Sequence, residues 1–269
     1  MKIYADQLLD DALLQTISPI INKNMDKLSP QIIVIKDSPV RKIYKIQKGK
    51  KFFFLKHYSD QRFGKRLKNL FRSVEAVRSY KISKALINSL LPVAEPIAAI
   101  TIQKNFYQKE SYYLMKGCAG HTLQDFFKIC NQKILVLEKL AKLLAIFFRN
   151  SFYHGDLNLA NIIVNADIKM TFIDVDNIKR LPFLPWSRVK RNMANFNAHM
   201  YATFDYERQW TVSYPELEHF FYTFLNGYRP QEDTKQFIHD INKLTAKALI
   251  HWNKSHLIQA KKELARALQ

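Results

Sequence analysis

The first third of the chain has short apolar runs of the kind that form β-strands. The run QIIVI (31–35) predicts a buried strand, RKIYKI (41–46) predicts a second, and KKFFFLKHY (50–58) a third. Gly49 marks a turn between the last two. Strands this close in sequence predict an antiparallel meander, and residues 3–25 are expected to form a short helix that leads into it.

Helical spacing takes over further along. RFGKRLKNLFR (62–72) has apolar residues at helical intervals with five basic residues between them, and residues 73–91 continue as a helix that is expected to stop at Pro92. Residues 95–117 predict two strands around a polar turn.

The rest of the chain favours helices, with one small interruption. HTLQDFFKIC (121–130) and KILVLEKLAKLLAIFFRN (133–150) predict helices. NIIV (161–164) and MTFIDV (170–175) predict a short hairpin, after which the pattern is mostly helical to the end.

The composition changes near Lys116–Gly120, where two glycines indicate a hinge. The part before it is β-rich with one helix, and the part after it is α-rich. The sequence therefore predicts an α+β fold with a first domain at 1–116 and a second at 117–269.

Composition and charge narrow the class of protein. Hydrophobic residues make up 48% of the 269 positions, which excludes an intrinsically disordered chain. The net charge of +19 favours contact with a polyanion, namely nucleic acid, anionic lipid or a phosphorylated substrate, although a generally basic protein is the alternative. Cys118 and Cys130 are interpreted as reduced thiols. The N-terminus lacks the apolar region of a signal peptide, and no run reaches the ~20 apolar residues of a membrane span.

One short segment concentrates the candidate chemistry. In FYHGDLNLANIIV (152–164), His154 and Asp156 are followed after four residues by Asn161, which matches the H-x-D-x-x-x-x-N catalytic loop of kinases. Phosphoryl transfer needs a carboxylate beside the acceptor hydroxyl and oxygen ligands for magnesium.

Two further residues complete the set that this chemistry needs. Lys56 ends the apolar strand FFFLK and can neutralise nucleotide phosphates, and Asp174 follows the next strand in FIDVD, where a kinase has its metal-binding aspartate. Each residue alone has an ordinary explanation, because a strand lysine is usually solvated and Asp156 and Asn161 can form an Asx-turn or a helix cap. The combined order is rarely a coincidence.

With these residues in place, the chain resembles the Kdo/WaaP lipopolysaccharide kinase family, a branch of the protein-kinase-like fold. Kdo is 3-deoxy-D-manno-octulosonic acid. The resemblance covers roughly residues 30 to 200 and rests on FLKHY, RSYKISKALINSLLPVAEPIA, ESYYLMKGCAGHTL, YHGDLNLANIIV and FIDVDNIKR. The IDVD run is more similar to Kdo kinases than to heptose kinases.

The resemblance implies a two-lobed fold, with a small antiparallel β-sheet lobe carrying one helix and a larger, mainly helical lobe. It implies that Asp156 is the catalytic base, that Asn161 and Asp174 bind magnesium, and that Lys56 binds the phosphates of ATP. ATP and Mg²⁺ are the expected cofactors. Asp176 is an acid typical of the family without an assigned role.

The chain departs from the family pattern at three places. Residues 36–46 contain no glycine-rich loop, so a short turn near Ser38–Arg41 is expected to cover the phosphates with backbone N–H groups. Glu75 is a candidate partner for Lys56, but alignment puts Ser79 where the family has its glutamate, and a surface glutamate is the alternative. Gly155 replaces the arginine that in many protein kinases binds a phosphorylated activation loop.

These features lead to one main hypothesis and two rivals. The main one is an ATP-dependent kinase that phosphorylates a sugar hydroxyl of the lipopolysaccharide inner core, with Kdo on a lipid A precursor as the expected acceptor. One rival is another kinase-like small-molecule phosphotransferase or an atypical protein kinase. The other is a pseudokinase that acts as a binding module.

The basic residues cluster in segments that also carry apolar side chains. Stretches 62–72 and 179–192, the latter with Phe183 and Trp186, are predicted to form a cationic face for an anionic inner-leaflet membrane surface. The alternative is that the apolar residues are core and the charges their solvated face, which is favoured for the C-terminal segment. The expected location is cytoplasmic and peripheral on the inner membrane, with no nucleic-acid partner.

Overall fold

The structure is a computed structural model. It describes residues 1–6, 10–24, 29–59, 72–105, 108–207 and 213–252. Most of the helix predicted at 62–72 and of the C-terminal basic segment therefore lies outside the described residues. The chain divides into two compact units, the first comprising Met1–Asn88 with Val93–Cys118 and the second Ser89–Pro92 with Ala119–Gln269. The predicted boundary between two domains, 1–116 and 117–269, stays a prediction.

The first unit is built on a six-stranded antiparallel sheet. Its strands are β1 (Lys2–Tyr4), β2 (Ile32–Ser38), β3 (Arg41–Lys48), β4 (Lys51–Ser59), β5 (Pro96–Asn105) and β6 (Gln108–Lys116), in the order β1-β5-β6-β4-β3-β2. The predicted meander of β2, β3 and β4 and the predicted pair β5 and β6 are both confirmed. Gly49 has a φ of +58°, which suits the turn between β3 and β4.

Helices cover both faces of this sheet. Helix α1 (Asp11–Ile21) packs its apolar side, including Leu13 and Ile17, against one face. Helix α2 (Glu75–Asn88) packs against β4, β5 and β6. The helices predicted within residues 3–25 and 73–91 are thus both present.

The predicted burial of residues 31–35 is wrong. They do form a strand, but Ile33, Val34 and Ile35 in β2 are exposed to 55%, 45% and 56%. Among the described strands, β2 lies at the edge of the sheet and pairs with β3 alone. The core under α1 reaches Ile32 and no further along this strand, so the apolar run points largely to solvent.

Two predicted helix boundaries also differ. In the described part of residues 3–25 the helix spans Asp11–Ile21, and the Asp10 side chain caps its start by accepting a hydrogen bond from the Ala12 N–H at 3.0 Å. Lys2–Tyr4 instead pairs with β5. Helix α2 ends at Asn88, before the expected stop at Pro92.

The second unit is mainly helical. Its strands are β7 (His121–Thr122), β8 (Phe152–His154), β9 (Ile162–Val164), β10 (Met170–Phe172) and β11 (Ile178–Arg180). Its helices are α3 (Leu123–Ile129), α4 (Lys133–Arg149), the 3-10 helix Leu159–Asn161, α5 (Trp186–Glu207), α6 (Tyr214–Tyr228) and α7 (Thr234–Trp252). The predicted hairpin of β9 and β10 and the predicted helices α3 and α4 are confirmed.

An aromatic core lies directly beneath the polar segment that the sequence singled out. The ring of Phe147 in α4 lies 5.5 Å from that of Phe152 in β8 and 5.3 Å from that of Phe172 in β10. Helix α4 packs against α6, and α5 packs against α7. The strands on both sides of the polar segment therefore rest on a rigid apolar base.

Gly120 lies directly before β7 in the second unit, at a position that admits only glycine. Its φ is +133°, and a Cβ there would lie 2.3 Å from the Val164 carbonyl oxygen. Strand β7 pairs with β9 immediately afterwards, so this close approach places the segment before α3 against the hairpin.

Candidate functional site

The polar loop at residues 155–161 is anchored where it leaves β8. His154 pairs with Ile178 of β11, and the Gly155 N–H donates to the Asn177 carbonyl at 2.9 Å. The same backbone that follows Asp174 thus holds the start of the loop.

His154 braces the loop from inside the unit. Its side chain is fully buried, and its Nδ1 accepts a hydrogen bond from the Asp156 N–H at 3.2 Å. Burial lowers the pKa of His154 to about 4, although the carboxylates of Asp174 and Asp156 oppose the shift. The ring is therefore neutral near pH 7 with its proton on Nε2, and it positions Asp156 instead of transferring protons.

A residue that the sequence did not indicate holds His154 in turn. Asn192 in α5 is buried, accepts from the His154 N–H through Oδ1 at 3.3 Å and donates to the His154 carbonyl through Nδ2 at 2.6 Å. One carboxamide satisfies both backbone groups at the end of β8. No motif marks it, because a buried asparagine in a long helix is recognisable only when its partner is known.

Two asparagines shape the rest of the loop around Asp156. Asn158 donates to the Asp156 carboxylate at 3.2 Å and accepts from the Ala160 N–H at 3.0 Å, which caps the 3-10 helix. Asn161 donates through Nδ2 to the Asp156 carbonyl at 2.8 Å. The Asp156 side chain itself is exposed. The loop thus presents an oriented carboxylate on a tightly bonded backbone.

Asp174 lies beside this loop. The Ile173 N–H donates to the Asn161 carbonyl at 3.1 Å, which places the backbone before Asp174 next to Asn161. The Asp174 carboxylate lies 3.5 Å from the Asp176 N–H. The second unit therefore brings Asp156, Asn161 and Asp174 together, as the sequence pattern required.

The donor set suits magnesium. The Asn161 NH₂ group donates to the Asp156 carbonyl, so the carbonyl oxygen of its side chain can bind a metal. Asp174 offers carboxylate oxygens. Mg²⁺ prefers both ligand types, alongside water and phosphate. The described residues contain no cluster of three or more His, Cys, Asp or Glu side chains that could hold a metal ion by themselves. A site with few protein ligands is the kind that binds magnesium together with a nucleotide.

In the first unit, Lys56 is buried, with 4% exposure. It lies opposite Tyr113 in β6 and Ile43 in β3, and directly opposed residues of an antiparallel pair share one face of the sheet. The Tyr113 hydroxyl is hydrogen-bonded to Ser83 of α2 at 2.8 Å. Lys56 therefore lies on the face that α2 covers.

Glu75, Ser79 and Ser83 follow one another at intervals of four on α2, so they form one stripe of the helix. Ser79 and Ser83 are buried, and the Glu75 side chain is 15% exposed and 3.2 Å from the Arg78 guanidinium. Both candidates for the partner of Lys56 therefore lie on the stripe that faces its side of the sheet. Glu75 alone carries a carboxylate, and its pairing with Lys56 stays a prediction.

The turn between β2 and β3 is the one expected to cover the nucleotide phosphates in place of a glycine-rich loop, and that role stays a prediction. The Ser38 hydroxyl accepts from the Arg41 N–H at 3.2 Å and donates to the Arg41 carbonyl at 2.7 Å. Its side chain thus closes a tight hairpin without glycine.

The predicted cationic segment at 179–192 is only partly at the surface. Lys179 and Arg180 are exposed in β11, and Phe183 is 74% exposed. Trp186, by contrast, stacks on Phe237 with ring centroids 5.3 Å apart, so it belongs to helix packing. Among the described helices, none is long and apolar enough to cross a bilayer.

Comparison with solved structures places this architecture in the kinase-like fold. WaaP, in a structure described as a complex with acyl carrier protein, matches over 98% of this chain and 99% of its own with a TM-score of 0.64 and 11% identity. Two structures of WbdD, one of them described as a bifunctional kinase-methyltransferase, match with TM-scores of 0.46 and 0.45 and 15% identity. They cover 87% and 76% of this chain, which spans 49% and 47% of their length.

No protein-family profile matches the chain, and no curated sequence matches it either. At 11% identity the WaaP match shows a shared fold and not a shared activity. The kinase-like fold expected from the sequence is confirmed, and the activity is argued from the site.

Proposed function

We propose that this protein is an ATP- and magnesium-dependent kinase that phosphorylates a sugar hydroxyl of the lipopolysaccharide inner core, with Kdo on a lipid A precursor as the acceptor. The observation that carries the proposal is the hydrogen-bonded loop that brings Asp156, Asn161 and Asp174 together. Carboxylate, carboxamide and carboxylate in this order are what phosphoryl transfer requires.

In this proposal Asp156 receives the proton of the attacking hydroxyl. Its carboxylate is exposed, so an acceptor can reach it, and Asn158 fixes its orientation. His154 and Asn192 hold the backbone beneath it, which limits the geometries the carboxylate can adopt.

The remaining residues bind the donor. Asn161 and Asp174 would hold magnesium, which supplies charge neutralisation at the phosphates when bound. Lys56 would bind the nucleotide phosphates, and Glu75 would orient Lys56 from the facing stripe of α2. Gly155 in place of arginine argues for a kinase that is not switched by activation-loop phosphorylation.

The proposal is tested by phosphate transfer from labelled ATP to a Kdo-bearing lipid A precursor. Asp156→Asn keeps the shape of the side chain and its capacity to accept from Asn158, and it should lower kcat by about 10²–10⁴-fold. Asp167→Asn, in the exposed turn between β9 and β10, is the matched control and should retain full activity.

Each outcome of this assay has a clear meaning. Equal transfer by wild type and Asp156→Asn would reject the catalytic assignment. ATP binding without transfer to any sugar or protein acceptor would favour the pseudokinase alternative, and transfer to a soluble sugar or a protein alone would favour the other kinase alternatives.

We also propose that the protein docks on an anionic membrane surface at the cytoplasmic face of the inner membrane, where its glycolipid substrate is expected. Exposed Phe183 is flanked by exposed Lys179 and Arg180. A cavity of about 480 Å³ is lined by Arg149 and Arg180, and guanidinium groups bind phosphate headgroups well.

Co-sedimentation with vesicles containing anionic lipid tests the docking surface. Phe183→Ser removes an insertion worth about 1.5–3 kcal/mol and should weaken binding by about tenfold or more. Ile129→Ser, exposed at the end of α3, is the matched control. Salt-insensitive binding, or equal binding by both variants, would contradict the assignment.

A further inference from the structure

A second cavity lies in the first unit on the face of the sheet opposite Lys56. Its volume is about 450 Å³, within the range of small-molecule sites. It is lined by Lys23, Asp37, Ser38, Pro39, Arg41, Lys42, His57, Ser59, Lys104, Gln108 and Glu110. His57 follows Lys56 in β4, and successive strand residues point to opposite faces, so this cavity is separate from the surface that carries Lys56.

Four cations from three separate segments converge on this cavity. Lys23 follows α1, Arg41 and Lys42 begin β3, and Lys104 lies near the end of β5. Against these four the described lining has two carboxylates, Asp37 and Glu110. The described lining therefore carries a net positive charge.

Both carboxylates are already engaged by cations of the lining. Glu110 is 4% exposed and accepts hydrogen bonds from Lys23 at 2.8 Å and Lys104 at 2.9 Å. Burial raises the pKa of Glu110, but these two lysines outweigh it and hold the pKa below its usual value. Asp37 is paired with Lys42 at 3.0 Å. An added anion can share these ammonium groups, each of which has three N–H donors.

His57 also lines this cavity. It is 8% exposed and stacks on Tyr112 with centroids 4.5 Å apart. Its Nε2 makes no hydrogen bond to the described residues and lies 3.7 Å from the Glu110 carboxylate. Burial lowers the pKa of His57 and Glu110 opposes the shift, so the ring is neutral near pH 7. A buried ring nitrogen without a hydrogen bond keeps its bonding capacity available for a bound group.

The backbone at Lys23 is also unusual. Its φ of +59° is a left-handed conformation at the end of α1, where glycine or asparagine is the common choice. The residue places its ammonium group on Glu110 at the rim of the cavity. The Lys23 ammonium group thus bonds to Glu110 from a position whose backbone conformation is unfavourable for lysine.

We propose that this cavity is a binding site for a phosphate monoester, held by Lys23, Arg41, Lys42, Lys104 and the His57 ring. A doubly charged tetrahedral group can contact several cations from different elements at once. The phosphate can belong to a soluble metabolite or to a lipid headgroup, and the experiment distinguishes the two.

The test measures binding of inorganic phosphate by calorimetry in a Lys56→Met background, so that a nucleotide site on the other face does not contribute. The double variant Lys42→Gln/Lys104→Gln, outside the Ser38–Arg41 turn, should lower affinity by about tenfold or more, since charged hydrogen bonds are lost. Lys50→Gln/Lys51→Gln, exposed at the β3–β4 turn, removes the same charge and should leave affinity unchanged.

Site-specific evidence comes from His57→Phe, which preserves stacking on Tyr112 but removes the ring nitrogen. In NMR spectra, the histidine resonance that is missing from His57→Phe identifies the His57 ring. This resonance should shift when phosphate is added to the Lys56→Met protein. No binding of phosphate or of phosphatidic acid vesicles, or equal loss in both double variants, would overturn the proposal. Selective loss of phosphate binding supports a soluble ligand, and selective loss of vesicle binding alone supports a lipid-borne one. Because Lys56 is absent throughout, failure of the proposed kinase activity would not affect this result.

Discussion

The Asn192 side chain offers a sharp test of how the candidate catalytic loop is held. Asn192→Leu keeps a similar side-chain volume but removes both hydrogen bonds to the backbone of His154. Asn192 is 1% exposed and His154 is fully buried, so water does not readily replace either bond. We therefore expect the variant to hold the backbone at His154 less firmly, and with it the position of Asp156.

The magnitude follows from the two groups that lose their partner. A buried N–H or C=O left without a hydrogen bond costs about 1–3 kcal/mol, so the pair costs about 2–4 kcal/mol once the added apolar burial of leucine is credited. The 2.6 Å bond from Nδ2 to the carbonyl is the shorter of the two and should account for the larger share.

Urea unfolding followed by far-ultraviolet circular dichroism measures this loss, and kinase assays measure its effect on kcat. Asn195→Leu, on the same helix and only half-buried, is the control and should change stability by less than about 0.5 kcal/mol. If Asn192→Leu were as stable and as active as Asn195→Leu, the bracing of His154 by α5 would be refuted.

Three further predictions address other parts of the molecule. If Glu75 orients Lys56, Glu75→Gln should lower kcat by roughly tens of fold. The control Glu95→Gln, exposed beside Lys116, should not change kcat. An unchanged kcat in both variants would remove Glu75 from the site. The pKa of His154 is lowered from 6.5 to about 4, so the unfolded chain binds more protons in that window. The free energy of unfolding should therefore fall by about 3 kcal/mol as pH drops through it, and His154→Asn should flatten this slope in urea titrations at pH 4.5 and 7. Ile33→Thr in exposed β2 should change stability by less than about 0.5 kcal/mol, while Ile46→Ala in the core should cost about 2–5 kcal/mol; equal losses would contradict the edge position of β2.

The elements that were predicted well are those whose signal is local. The meander, the β5–β6 pair and the β9–β10 hairpin follow from apolar runs separated by turn residues. The loop at His154–Asn161 was recognisable because its residue types and spacing are set by chemistry within a few positions. Such features need no knowledge of what packs against them.

The burial of β2 could not be predicted by the same reasoning. A continuous apolar run looks the same whether the strand lies at the centre or the edge of a sheet, and only the strand order decides. Trp186 shows the converse, since it lies in a segment rich in basic residues while its ring packs on Phe237. In both cases burial depends on partners distant in the chain.

The sequence by itself determined the kinase-like fold class and the hairpins, and it suggested the candidate set Lys56, Asp156, Asn161 and Asp174. Only the tertiary structure decided which residues support the loop of that candidate set and which side chains line the cavity beside His57. Asn192 lies 38 residues from His154, and Lys23 lies 87 residues from Glu110, so neither pair leaves a periodic trace in the sequence. Hydrogen bonds of buried groups are satisfied in three dimensions, and the chain can place their partners anywhere along its length.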